Sequence, residues 1–112
     1  MHTSAEPAVA VVLTTLAADA DAQALARTLV DERLAGCVNI LPAMVSIYPW
    51  KGRVEVDREQ QLVIKTSTER LEALQAWLLA HHPYETPELL VLRADASDAY
   101  FRWLAETTVA RR

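Results

Sequence analysis

The sequence predicts an α+β domain in which a four-stranded antiparallel sheet carries helices on one face. Segments with strand and helix periodicity alternate in the order βαββαβ, and one further helix follows. Right-handed crossovers over that order produce such a sheet. The chain has 112 residues, 52% of them hydrophobic and 23% charged, which suits one domain with a single core. We therefore expect residues 1–112 to form one domain, with 1–7 and 109–112 frayed.

The first strand and the first helix are predicted over residues 8–34. Residues 8–16 are apolar and rich in valine, as in a buried strand. Asp19 or Asp21 is placed to cap the helix, and Gly36 is placed to end it. Between them, apolar residues follow helical spacing at Ala22, Leu25, Ala26, Leu29, Val30 and Leu34. This pattern predicts an amphipathic helix packed on the sheet.

An extended hairpin is predicted from the second and third strands. Residues 37–48 and 53–66 each favour a strand, and Gly52 lies in the turn between them. Because Pro42 and Pro49 cannot donate to a ladder, we expect bulges or edge positions there. Each strand spans about 12 residues, roughly twice the usual length. We expect the tip to extend past the packed domain and to pair with another subunit.

Two helices and one strand complete the order. Thr66 and Glu69 have the capping-box spacing that opens a helix, and Pro83 ends that helix. Its apolar stripe is Leu71, Leu74, Trp77 and Leu78. The stretch "PELLVL" predicts the last strand, and Ser97 or Asp98 is placed to cap the final helix.

Charge and cysteine content limit the partners and the compartment. The net charge is −4 and no basic run is present, which argues against a nucleic-acid partner. The apolar run 8–18 is too short to span a membrane, and no Lys or Arg precedes it as in a secretory signal. Cys37 is the only cysteine, so no intramolecular disulfide can form. We expect a cytoplasmic protein with no membrane partner.

The stretch "AHHPYETPE", residues 80–88, holds two of the three histidines. Neighbouring residues on a helix point about 100° apart, so His81 and His82 would not chelate one ion well in helical geometry. On this interpretation His81 packs against the core and His82 caps the helix end. A metal site stays open, because Pro83 releases His82 from helical geometry. Cys37 is a candidate soft ligand for copper or zinc, or else a small buried hydrophobe.

Acidic and aromatic residues of the hairpin offer a second candidate site. Glu55, Asp57 and Glu59 share one strand face, where they could form an acidic site or pair with Lys65 and nearby arginines. A solvated face is the interpretation that we favour. Three aromatic residues with polar groups suit either a subunit interface or a ligand cleft: Tyr48, Trp50 and Tyr84.

Four motifs in order resemble the CutA family of divalent-cation-tolerance proteins. They are the cysteine that opens strand two, S-x-Y-x-W-x-G-x-x-E across the hairpin, E-x-x-L-x-x-K-T in strand three, and H-P-Y-E-x-P-E after the second helix. The likeness covers about residues 8–106. It implies a ferredoxin-like subunit in a homotrimer similar in plan to the PII signalling proteins. The hairpin would then reach a neighbour and bury Tyr48 and Trp50 between subunits. The residues beside the intersubunit cleft would include Cys37, Glu59, Lys65, His82 and Tyr84.

The resemblance also implies a bound ion and a role in the response to metal ions. Family members are described as binding copper or another divalent cation through a cysteine at the end of strand one and two histidines. His81 and His82 match these histidines, whereas Thr14 stands at the cysteine position. Because a hydroxyl is a poorer ligand than a thiolate for a soft cation, Cys37 becomes the candidate substitute.

Two other functions are weighed against metal binding. One is a PII-like trimeric scaffold that binds a small ligand in the intersubunit cleft and has no physiological metal role. The other is an enzyme, since acylphosphatases share the ferredoxin-like fold and use an arginine in the loop after strand one. Residues 14–19 read "TTLAAD" and contain no arginine, so we expect no enzymatic activity of this kind.

Overall fold

The computed structural model describes residues 9–111, and the element order within them confirms the predicted one. The second predicted strand is divided in two, because Pro42 interrupts it. The elements are β1 Val9–Ala17, α1 Ala22–Asp31, β2 Cys37–Ile40, β3 Met44–Trp50, β4 Arg53–Ser67, α2 Leu71–His81, β5 Leu90–Ala94 and α3 Asp98–Thr107. The segment 1–7, expected to be frayed, lies outside the described residues, and 109–111 follow α3 without regular structure.

The strands form one antiparallel sheet in the order β2-β4-β1-β5, and β3 pairs with β4 beyond the end of β2. The fifteen residues of β4 run through both the packed sheet and the hairpin that β4 forms with β3. Its second half lies between β1 and β2, whereas its first half pairs only with β3. Helices α1 and α2 cover one face, and the core residues include Val12, Leu29, Leu62, Ile64, Leu74 and Leu78.

The paired strands β3 and β4 form an arm that projects from the packed domain, as predicted. Its turn places Lys51 at φ 50° and Gly52 at φ 77°, as expected for a tight two-residue hairpin turn. Val54 is 73% exposed and Ile47 is 69% exposed, although both are large apolar residues. Val54 belongs to the same alternating series as Leu62 and Ile64, but the helices do not extend far enough to cover it.

The end of α1 differs from the prediction that Gly36 would terminate it. Arg33 takes the left-handed conformation at φ 58°, and the Leu34 amide donates to the Leu29 carbonyl at 2.9 Å. This is a Schellman-type ending in which two leucines meet in the core. Gly36 has a different role, since a Cβ there would overlap the Leu104 side chain of α3. A glycine near a helix end was therefore required for close packing.

The predicted capping box at Thr66 and Glu69 is also absent. Thr66 lies in β4, fully buried, and its hydroxyl donates to the Leu34 carbonyl at 2.8 Å. A short 3-10 turn, Thr68–Arg70, leads into α2 instead. The other caps agree with the prediction. Asp21 accepts from the Ala24 amide, and Ser97 accepts from the Tyr100 amide. Within 9–111, no helix is long and apolar enough to cross a membrane.

Candidate functional site

A cleft of about 790 Å³ lies where the arm joins the sheet. The end of β1, the base of the arm and the loop after α2 line it. Thr15, Glu59 and Gln61 belong to this lining, and they alternate along their strands with core residues such as Leu16 and Leu62. The cleft therefore opens on the face of the sheet opposite α1 and α2.

Four of the residues predicted for an intersubunit cleft or subunit interface line this cavity together: Glu59, Tyr84, Tyr48 and Trp50. Lys65 lies outside it. It stands opposite Val11 and Cys37, six residues beyond Glu59 on β4, which is roughly 20 Å along the strand. The expected combination of a carboxylate and a lysine in one cleft is therefore not present in the protomer.

Glu59 and Tyr84 form the buried end of the cleft. The Tyr84 hydroxyl donates to Glu59 Oε2 at 2.8 Å, and Glu59 is only 8% exposed. Burial and this hydrogen bond raise the pKa of Tyr84 above its ordinary value. The interpretation of Glu59 as part of a solvated acidic face is wrong, because the loop after α2 folds over the base of the arm.

A second tyrosine–carboxylate pair lies within the arm itself. The Tyr48 hydroxyl donates to Asp57 Oδ2 across the β3–β4 ladder. This hydrogen bond and the surrounding carboxylates raise the pKa of Tyr48 to about 12. Glu55, the third member of the predicted acidic face, lies 4.0 Å from Arg53 in an exposed ion pair.

His82 holds the loop after α2 against the edge of β1. Its Nε2 is 2.9 Å from the Thr15 carbonyl, and its Nδ1 accepts from the Tyr84 amide at 3.0 Å. Because a carbonyl only accepts, the proton lies on Nε2 and the imidazole is neutral. β5 pairs with β1 only as far as Leu13. The Thr15 carbonyl of β1 lies beyond this pairing, and His82 donates a hydrogen bond to it in place of β5. Both ring nitrogens of His82 are therefore occupied.

His81 was predicted to pack against the core, and this prediction is wrong. It is exposed, its ring stacks on Trp77 with centroids 4.1 Å apart, and its Nδ1 is 2.8 Å from the Trp77 carbonyl. The Trp77 ring occupies the position toward the core, so His81 lies on the outer side of that ring. The hydrogen bond to a carbonyl puts a proton on Nδ1, so in the neutral imidazole the lone pair is on Nε2.

The other predicted metal ligands lie apart from the histidines. Cys37 is half-buried and pairs with Lys65 of β4. Thr15, to which His82 is bonded, pairs with Gln61 of β4, so Cys37 and the His82 contact are four residues or roughly 13 Å apart along that strand. Thr14 is fully buried, and its hydroxyl has no hydrogen-bond partner. In the described part of the chain, no group of three or more His, Cys, Asp or Glu side chains could hold a metal ion. One protomer therefore does not assemble His81, His82 and Cys37 into a site.

The sequence did not single out Gln61 or Glu88. The Gln61 amide donates to the Thr14 carbonyl at 2.7 Å and to Glu88 Oε2 at 2.8 Å, and both residues line the cleft. Strand alternation offered a signal for Gln61, because it lies two residues from Glu59 on the same face. Glu88 is the last residue of the H-P-Y-E-x-P-E motif, but the motif did not place it in the cleft, which it reaches through the course of the loop.

The family model of the CutA1 divalent ion tolerance protein matches residues 10–107. The chain belongs to the CutA1 family. It is 45% identical over 95 residues to the divalent-cation tolerance protein CutA of Yersinia pestis (strain Pestoides F), covering 84% of this chain and 80% of the relative.

Solved CutA1-family structures share the fold over most of their length. The divalent cation tolerance protein of Thermus thermophilus matches with a TM-score of 0.83 and 42% identity, covering 90% of this chain and 99% of that one. The PII-like protein CutA from Nostoc sp. PCC 7120 matches with a TM-score of 0.84 and 33% identity, over 91% and 99% of the two chains. The predicted ferredoxin-like, PII-like fold is confirmed.

Proposed function

We propose that this CutA1-family chain is a cytoplasmic homotrimer that binds copper or another divalent cation and takes part in the response to metal ions. The family description and the Yersinia relative, named a divalent-cation tolerance protein, support this role. The observation that carries the proposal is the orientation of His81. Its Nδ1–H donates to the Trp77 carbonyl and its ring stacks on the Trp77 ring, so the imidazole is held in one orientation and Nε2 is the nitrogen that can bind an ion.

This arrangement resembles that of histidines that ligate metals in proteins. Such residues donate one ring N–H to a carbonyl or carboxylate, which fixes the tautomer and orients the other nitrogen toward the ion. His82 cannot serve in the same way without giving up its bond to Thr15 or to Tyr84. We therefore assign the primary contact to His81, and we expect the remaining ligands from solvent or from a neighbouring subunit, Cys37 included.

Calorimetric titration of Cu(II) and Zn(II) tests this assignment. His81→Ala should weaken binding by about tenfold or more, since a lost ligand costs at least as much as a lost outer contact. His82→Ala is the matched control. It should retain most of the affinity but lower the unfolding midpoint, because the loop loses two hydrogen bonds. Equal binding by wild type and His81→Ala would contradict the proposal.

The homotrimer is supported by the exposed apolar surface of the arm. Val45, Ile47, Val54 and Val56 are large apolar residues, and all are exposed in the protomer. Such an exposed apolar surface is characteristic of an association site. Proteins also usually cover the unpaired edge of a long strand such as β3 with another segment or subunit. Tyr48 and Trp50 lie on the opposite face of the same arm, where they line the cleft, and we propose that association encloses them and the cleft between subunits.

Light scattering coupled to size-exclusion chromatography tests the assembly. The wild type should elute at about three times the subunit mass of 12.5 kDa. Val54→Lys should shift the protein toward smaller species, because it places a charge in the apolar contact. Leu79→Lys, at an exposed apolar position on α2, is the matched control and should keep the wild-type mass. A wild-type mass of one subunit would refute the trimer.

A second candidate function is a PII-like scaffold that binds a small ligand in the cleft and has no physiological metal role. The cleft favours it, since about 790 Å³ is in the range of small-molecule sites and several polar groups converge there. Under this proposal, Cu(II) affinity would be weak and unchanged in both histidine variants. In either case we propose a binding role and no catalysis, and turnover of acyl phosphates by the pure protein would contradict it.

A further inference from the structure

The cleft has a strong excess of negative charge among its described lining residues. Four carboxylates line it, and the single cationic residue of that lining is Arg58. The carboxylates are Asp57, Glu59, Glu85 and Glu88. Lys65, the residue that would have favoured an anion, stands elsewhere on the sheet. The electrostatic character of the cleft is therefore that of a cation receptor.

Glu59 points to a specific contact within this cleft. It is more than nine-tenths buried, and Tyr84 donates to only one of its oxygens, Oε2. Across residues 9–111, no side chain or amide donates to Oε1 and no cationic group pairs with the carboxylate. Among the described residues Thr14 Oγ1 is the one fully enclosed side-chain atom without a partner, so Glu59 Oε1 remains open to the cleft, where it can accept a hydrogen bond from a ligand.

The aromatic residues of the cleft suit an organic cation. Tyr48, Trp50 and Tyr84 all line it, and both tyrosine hydroxyls are already engaged with carboxylates. Lys51 Nζ lies 5.6 Å from the Trp50 ring centroid, and the His82 and Tyr84 ring centroids are 5.0 Å apart, so a ligand would contact the ring faces turned away from these neighbours. A positive charge over such a face is attracted to the ring quadrupole, and carbon chains pack against it.

The spacing of the carboxylates disfavours an inorganic ion at the same place. No three of the described acidic, histidine or cysteine side chains are close enough together to hold a metal. A cavity of about 790 Å³ is also far larger than a single ion requires. An extended molecule can meet separated carboxylates one at a time, which a compact ion cannot.

We propose that the cleft binds a small organic cation whose primary ammonium or guanidinium group pairs with Glu59 Oε1 while its carbon chain lies along Tyr48, Trp50 and Tyr84. This inference rests on the second candidate function, because it names the class of ligand for that cleft. The class of ligand assigned to the cleft is therefore an amine rather than an anion or a nucleotide.

Calorimetry with three probes of equal carbon-chain length tests the inference on the intact protein in an amine-free buffer. Diaminobutane carries the cationic groups, butanediol is the neutral match and succinate is the anionic one. Diaminobutane should bind at least about tenfold more tightly than either control, as expected for a charge-assisted hydrogen bond in a desolvated site.

Two variants on one strand locate the contact. Glu59→Gln should weaken diaminobutane binding by about tenfold or more, while Gln can still accept from Tyr84. Glu55→Gln is the matched control, since Glu55 lies four residues away on β4 and outside the cleft, and it should bind as wild type. Circular dichroism and light scattering verify that both variants keep the wild-type fold and mass.

The outcomes separate this inference from the functions proposed above. Equal binding of diaminobutane and butanediol by the wild type overturns it, whether or not Glu59→Gln folds. Unchanged binding by a folded Glu59→Gln also overturns it. If succinate or butanediol alone binds, the ligand scaffold survives but the cationic class is wrong. If none of the three probes binds while Cu(II) still binds through His81, the inference fails and the metal function stands.

Discussion

Replacing Thr14 by valine should stabilise the protein. Thr14 is 0% exposed, and its hydroxyl has no partner, so the folded state buries a polar group without compensation. An unsatisfied buried group costs about 1–3 kcal/mol, and valine fills nearly the same volume with a methyl group. We expect Thr14→Val to raise the free energy of unfolding by about 1 kcal/mol.

Thr66→Val is the matched control for this prediction. Thr66 is also 0% exposed and lies on the adjacent strand β4, but its hydroxyl donates to the Leu34 carbonyl at 2.8 Å. The same substitution there removes a satisfied buried hydrogen bond and leaves the carbonyl without this donor. We expect it to lower the free energy of unfolding by about 1–2 kcal/mol.

Guanidinium unfolding of both variants and wild type provides the measurement. The protein concentration must be equal in all samples, because association alters the apparent stability. The two variants should shift the midpoint in opposite directions with similar slopes. If Thr14→Val destabilises the protein as much as Thr66→Val does, the Thr14 hydroxyl has a partner in solution and the reasoning is refuted.

Three further predictions follow from local geometry. The hydrogen bond to Asp57 raises the pKa of Tyr48, so the neutral tyrosine stabilises the fold below the ordinary pKa of about 10, and this stabilisation is lost as the pH rises toward about 12. Asp57→Asn should lower the pKa of Tyr48, which the absorbance of tyrosinate measures. Gly36→Ala should destabilise the protein by about 1–3 kcal/mol, because the added methyl group clashes with α3. Gly52→Ala should destabilise it by about 1 kcal/mol, because Gly52 lies in open space but has φ 77°. If denaturant unfolding ranks the two losses in the opposite order, the packing role of Gly36 is contradicted. Arg33→Gly should raise the unfolding midpoint slightly, since the position has φ 58°, and a clear decrease would count against the Schellman-type ending.

Periodic patterns predicted the elements well, because each pattern depends only on neighbours along the chain. Strand alternation placed Leu62 and Ile64 on the core face, and helical spacing placed Leu74 and Leu78 in α2. The great length of the hairpin was likewise evident from the sequence. Its consequence, an exposed apolar arm, follows from comparing strand length with the extent of the helices.

Terminal signals were less reliable, since several residue types serve more than one purpose. Gly36 follows the end of a helix, yet it is small because α3 packs against it. Thr66 has capping-box spacing, yet its hydroxyl is used inside the core. His81 was also assigned to the wrong environment, because its ring stacks on the partly buried Trp77 ring and remains exposed.

The sequence by itself determined the order of elements, the family and four of the residues that line the cleft, since these depend on local periodicity and on recognisable motifs. Only the tertiary structure decided which chemical groups are available. In the folded chain both ring nitrogens of His82 are hydrogen-bonded, His81 uses Nδ1 and not Nε2 to bond the Trp77 carbonyl, Lys65 lies away from the cleft, and Glu59 is buried. These differences depend on contacts between distant segments, which set hydrogen bonding and burial and so decide what each side chain can bind.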